Sequence, residues 1–74
     1  MTLDLAKRGQ KLKILDIKEP RVKAQAIRFG IFEGETVFCS EIIPAGPIII
    51  RKHTQEIAIG RGLARLITVA SATK

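Results

Sequence analysis

Pro44-Ala45-Gly46-Pro47 separates two β-branched, apolar runs, Thr36 to Ile43 and Ile48 to Ile50. Proline cannot donate to a ladder, and short runs of this kind bounded by turn formers read as strands. Two consecutive strands joined by such a corner exclude a helix pair. Upstream, Gly30 and Gly34 bracket a further tight reversal. In a chain of 74 residues these breaks leave room for little else. The expected fold is mostly β: a small β-barrel with one α-helix and a short helical turn before the last strand.

That length makes one domain, 1–74, which buries only about 60% of its unfolded surface. The residues are 46% hydrophobic, enough for a core without staples. A single cysteine, Cys39, forms no internal disulfide and fits a reducing cytoplasm. No apolar run approaches about 18 residues, so no membrane insertion is expected. The amino end lacks a basic stretch followed by an apolar one, so the chain reads as cytosolic and complete. Its net charge is +6, with eight basic side chains before residue 29 and none between 29 and 50. A basic chain is drawn to phosphate, acidic lipid or an acidic protein face.

Thr2 to Ala6 reads as a first strand, followed by a turn at Lys7 to Gln10. In Lys11 to Lys18 the apolar positions Leu12 and Ile14 slip out of phase to Leu15 and Ile17. A period-2 pattern that slips by one residue predicts a bulge or bend near Ile14. Pro20 suits the first position of a helix running to about Phe29, with Gly30 as its left-handed terminator. Val22, Ala26 and Phe29 then form the core stripe, and Ile27 lies nearly opposite, flanked by Lys23 and Arg28. Strands are expected over Thr36 to Glu41, Ile48 to His53 and Glu56 to Ile59. A helical turn at Leu63 to Leu66, a closing strand at Ile67 to Val69 and a flexible tail from about 70 to 74 complete the pattern. Gly30, Gly34, Pro44, Gly46 and Pro47 are the structural turns.

Few residues carry chemistry. One histidine, one cysteine, no tyrosine and no tryptophan leave no nucleophile–base–orienter set, so no enzymatic activity is expected. Cys39 alternates in phase with Val37 and reads as a small buried side chain. Gly60-Arg61-Gly62 lacks the lysine and hydroxyl of a phosphate-binding loop. No paired cysteine or histidine motif builds a metal site; Cys39 and His53 are the candidate ligands. Single-strand nucleic-acid binding by β domains uses aromatic platforms, and the aromatics are Phe29, Phe32 and Phe38 alone. No stable nucleic-acid complex is expected, and the basic groups read as a solvated face or a site for an acidic protein.

Thr2-Leu3, Leu5 with Gly9, Ile14 with Ile17, Phe29-Gly30-Ile31 with Gly34 and Val37, Pro44 with Gly46-Pro47, and Ile57-Ala58-Ile59 with Ala64, Ile67 and Val69 stand in an order and spacing that resemble the FeoA family. The resemblance extends from Leu3 to Val69. It implies an SH3-like barrel and a cytoplasmic accessory protein acting on the ferrous iron transporter FeoB, at the inner face of the membrane through that partner. It raises Fe(II) or another transition metal as a bound ion, but supplies no ligand set that transfers onto Cys39 or His53. The related carboxyl-terminal domain of DtxR-type metalloregulators keeps an alternative open, a regulator-type or nucleic-acid-binding accessory barrel. Two positions depart from the family: Gln25 and Gly60 stand where arginines are usual, with Arg28 and Arg61 nearby. The expected partner-binding face combines Lys23, Ile27 and Arg28 with Arg51, Lys52, Arg61 and Arg65. A homo-oligomer is left open.

Overall fold

The computed structural model describes residues 1–72. Its strands are β1 (Lys11–Ile17), β2 (Thr36–Ile42), β3 (Ile48–Lys52), β4 (Gln55–Ile59) and β5 (Ile67–Ser71), with helices α1 (Pro20–Arg28) and α2 (Arg61–Ala64). All pairings are antiparallel, in the order β4-β3-β2-β1-β5. The principal extents, 28 × 27 × 24 Å, are nearly equal, whereas stacked layers lie only about 10 Å apart. The sheet therefore curls. Ile57 and Ile59 of β4 and Ile67 of β5 line one groove, although these two edge strands share no ladder among the described residues.

Curvature comes from two bulges. In β1, Ile14 pairs with Val69 and Asp16 with Thr68, leaving Leu15 without a partner across the ladder. Leu12, Ile14 and Ile17 all stay buried as a result, while Leu15 is exposed. The phase slip predicted the bulge, but placed Leu15 on the apolar side. A second bulge falls between Cys39 and Glu41 in β2. It lets Val37 and Cys39 lie in the core and Ile42 pack against it.

The first segment is not a strand. Thr2 makes one bridge to Thr68, and the chain then closes a 3-10 turn over Leu3–Leu5. The Thr2 hydroxyl donates to Asp4 Oδ1, and Leu5 N–H donates to Thr2 O at 3.0 Å. Local side-chain bonding of this kind competes with ladder pairing. Leu3 and Ala6 are buried and Leu5 is exposed, so the alternation that suggested a strand marks a turn.

Helix α1 is capped by Glu19, whose carboxylate accepts from Arg21 N–H at 2.8 Å, with Pro20 at the first helical position. It ends in a Schellman arrangement: Gly30 N–H donates to Ile27 O at 3.0 Å and Ile31 N–H to Ala26 O at 2.9 Å. Gly30 takes φ +77°, a conformation that costs a side-chain-bearing residue about 1–3 kcal/mol. Val22 and Ala26 face the core as expected, but Phe29 does not; it is 49% exposed. The left-handed step at Gly30 swings the chain so that Ile31, fully buried, fills the place expected of Phe29.

Other boundaries shift by one or two residues. His53 sits in the two-residue turn between Lys52 and Gln55, with φ +57°, and is outside β3. The β2 to β3 corner has its positive φ at Ala45. Helix α2 starts at Arg61, two residues before its expected place. Strand β5 continues through Ala70 and Ser71, which pair with Lys13 and Leu12, so part of the expected tail is sheet. Residues 73 and 74 of that tail lie outside the described residues.

At Gly30 an added Cβ would meet Lys52 Nζ at 2.9 Å as well as the positive φ, whereas at Gly62 it would meet nothing within 4 Å. Gly30→Ala is expected to lower unfolding free energy by about 1–3 kcal/mol, and Gly62→Ala to raise it by about 0.5–1 kcal/mol. Urea denaturation of the two variants beside the parent checks both signs.

Candidate functional site

Basic side chains in this structure divide into those that fasten loops and those that remain on open surface. Lys52 ends β3 and points back toward the α1 to β2 loop. Its ammonium lies 2.6 Å from Glu35 Oε2, donates to Gly30 O at 2.6 Å, and stands 5.0 Å above the Phe32 ring centroid. With a side chain only 16% exposed, it is a clamp on the carbonyl that closes the helix. Charge-assisted bonds of this kind are about twice as strong as neutral ones.

Arg61 does the same at the opposite end. Its Nε donates to Gly46 O at 3.0 Å and its Nη2 to Ile43 O at 3.3 Å, holding the β2 to β3 corner. The corner adjoins Ile48 and Lys52 ends the same strand, so the two clamps lie about 13 Å apart along β3. Arg65 faces Asp4 at 4.0 Å, on the Arg61 side. Lys23 pairs with Glu33 at 3.2 Å. That hydrogen bond, with the Lys23 charge behind it, holds the Glu33 carboxyl below its ordinary range. The pair's contribution is present at neutral pH and fades as pH falls through the depressed value. Ile27 is 54% exposed, and Arg28 beside it makes no ion pair among the described residues. Six of the seven residues expected to form one face are thus distributed over two ends of the sheet and one helix.

Arg51, the seventh, belongs to a fourth place, the outer face of the sheet. Lys11 pairs with Phe38 and Phe38 with Arg51 across three strands, and the Arg51 guanidinium lies 5.1 Å from the Phe38 ring centroid. Lys13 sits opposite Thr36 one step along. A cleft of about 620 Å³ opens here, bordered by Lys11, Thr36, Phe38, Arg51, Lys52 and His53. Sequence reasoning assigned nothing to Lys11, Lys13, Thr36 or Phe38. The alternation of Lys11 and Lys13 with Leu12 and Ile14 put both lysines on the outer face, but only the register sets them beside Phe38 and Arg51. A second, more apolar groove of about 320 Å³ runs between α1 and β4, lined by Ala26, Phe29, Ile57, Ile59 and Leu63 among others.

The candidate metal ligands do not meet in a cluster. Cys39 is fully buried opposite Ile50 in the core. Burial, with a lesser push from the Glu41 charge, raises its thiol pKa. His53 is exposed in the β3 to β4 turn. Among the described residues no group of three or more His, Cys, Asp or Glu side chains could hold a metal ion, and no helix is long and apolar enough to cross a membrane.

A curled five-stranded antiparallel sheet with one helix between its first two strands is consistent with the SH3-like class of small β domains. The FeoA domain family model matches residues 1–71. The chain belongs to the FeoA family, which is associated with ferrous iron transport. The crystal structure of an iron uptake regulatory protein, FeoA, superposes with a TM-score of 0.86 at 29% identity, over 96% of each chain. The FeoA protein of Chlorobium tepidum gives 0.85 at 24% identity, over 99% of this chain and 71% of that one. An FeoA-like protein of Clostridium acetobutylicum gives 0.85 at 20% identity, over 100% and 88%. At those identities the last two show the fold alone. No protein of curated function matches the sequence significantly.

Two measurements check this account of the side chains. Lys52→Met is expected to cost about 1–3 kcal/mol of stability, since it strips the charged donor from Glu35 and the Gly30 carbonyl; thermal and urea unfolding report it. Cys39 is expected to resist alkylation by iodoacetamide in the native protein and to react readily once denaturant exposes it. Rapid native labelling would contradict its buried place.

Proposed function

We propose that this chain is a non-enzymatic interaction module of ferrous iron uptake, binding the cytoplasmic part of an FeoB-type transporter and modulating it. The observation that supports this reading most is the family match across residues 1–71, joined to a fold whose polar side chains serve as fasteners and exposed cations. Located in the cytoplasm, the protein reaches the inner face of the membrane through its partner. In this reading Fe(II) is the transporter's cargo. The helix contributes Lys23, Ile27 and Arg28 to the contact, and the remaining cations, Arg51, Lys52, Arg61 and Arg65, contribute from the sheet ends and its outer face.

Charge reversal separates these contributions. Arg28→Glu is expected to weaken transporter binding about tenfold in salt-matched buffer, in keeping with a charge pair at a protein contact. Arg61→Glu is expected to weaken it as well, and circular dichroism must accompany that variant because Arg61 also holds the β2 to β3 corner. Titration calorimetry with the transporter's soluble domain makes the measurement. Unchanged affinity in both variants would remove α1 and the corner from the contact.

A further inference from the structure

We propose that the cleft on the outer face of β1, β2 and β3 is a docking site for an extended protein segment with acidic residues at alternate positions. The inference rests on the interaction-module reading and specifies the chemistry of the partner. Lys11 and Lys13 project from the same side of β1, two residues and about 7 Å apart. That is also the spacing of alternate side chains along an extended peptide, so two carboxylates in such a segment fall over the two lysine positions. Arg51, two strands away from Lys11, offers a third cation about 10 Å across the sheet.

The surrounding groups favour an acidic guest. Glu35, the carboxylate bordering the cleft, is held by Lys52 at 2.6 Å. Glu56, at the far end of the row beside Arg51, lies 3.4 Å from the Ser40 hydroxyl. Neither Lys13 nor Arg51 forms an ion pair among the described residues. The Thr36 hydroxyl and exposed His53 add polar groups at the rim. Phe38 makes the floor apolar, and its ring lies 5.1 Å beneath the Arg51 guanidinium. This last contact argues for a peptide over single-stranded nucleic acid, because a base could stack on Phe38 only by displacing a cation already there.

The test uses the full chain and a fluorescein-labelled peptide of alternating Glu and Thr, read by fluorescence anisotropy at physiological ionic strength. The peptide should bind at least tenfold more tightly than its Gln/Thr counterpart. Lys13→Glu with Arg51→Glu should reduce that affinity tenfold or more, and Lys13→Glu alone, at an exposed position, about threefold. Lys18→Glu with Arg21→Glu, which changes the net charge equally at the other end of β1, should leave it within twofold. Equal losses in the two double variants would reduce the effect to net charge and overturn the proposal. So would tighter binding of a labelled oligothymidylate, or no binding of the acidic peptide. Transporter capture run in parallel decides the functional reading separately: a wild-type chain that binds the peptide but captures no transporter defeats that reading and leaves the cleft standing.

Discussion

Strand β1 is the member on which the remaining structure depends, because it is paired on both sides and bent in its middle. Lys11 to Lys13 pair with β2, while Leu12 to Ile17 pair with β5. The extra residue at Leu15 lets the strand present Leu12 and Ile14 to the core, then Ile17 after the bend. Without the bulge, period-2 alternation would put Ile17 on the solvent side. The carboxyl end of the chain could not then close over Leu3, Val69 and Ile67, all fully buried. The cost is one exposed leucine, a small one beside three core residues.

Cations take over much of what a larger protein would leave to packing. A thin core constrains its loops weakly, and both critical reversals are held by a basic side chain donating to backbone carbonyls. Lys52 closes on Gly30, and Arg61 closes on Gly46 and Ile43. An unpaired carbonyl at such a reversal would cost free energy comparable to a lost hydrogen bond. Formal charge therefore overstates how much of this surface is available to a partner. The functional reading draws on these clamps as well as on Arg51 of the outer sheet face and on the cations of α1.

Most of the β pattern was legible in the chain. The Pro44 to Pro47 corner, the reversals at Gly30 and Gly34 and the slip near Ile14 are local signals, since each follows from what a backbone can do within a few residues. Cys39 could be placed in the core because it alternates with Val37. Phe29 could not be excluded from it by the same logic. Helical periodicity carries the core stripe to Phe29, one residue past the end of α1, but Gly30 then turns left-handed and Ile31 takes the core position. Likewise Leu3 and Leu5 alternate like a strand, but the Thr2 to Asp4 hydrogen bond closes a turn instead.

The residues alone determined the fold class, the bend in β1 and the ends of α1, since steric limits, proline and glycine act locally. Tertiary structure decided the fate of each charge. Whether a lysine clamps a loop or faces solvent depends on carbonyls and carboxylates brought to it from distant parts of the chain. Lys52 and Arg51 are neighbours in sequence, yet one is fastened to Gly30 and Glu35 and the other lies over Phe38 in an open cleft. Strand alternation sends them to opposite faces, and only the register of β3 against β2 supplies the groups each one meets.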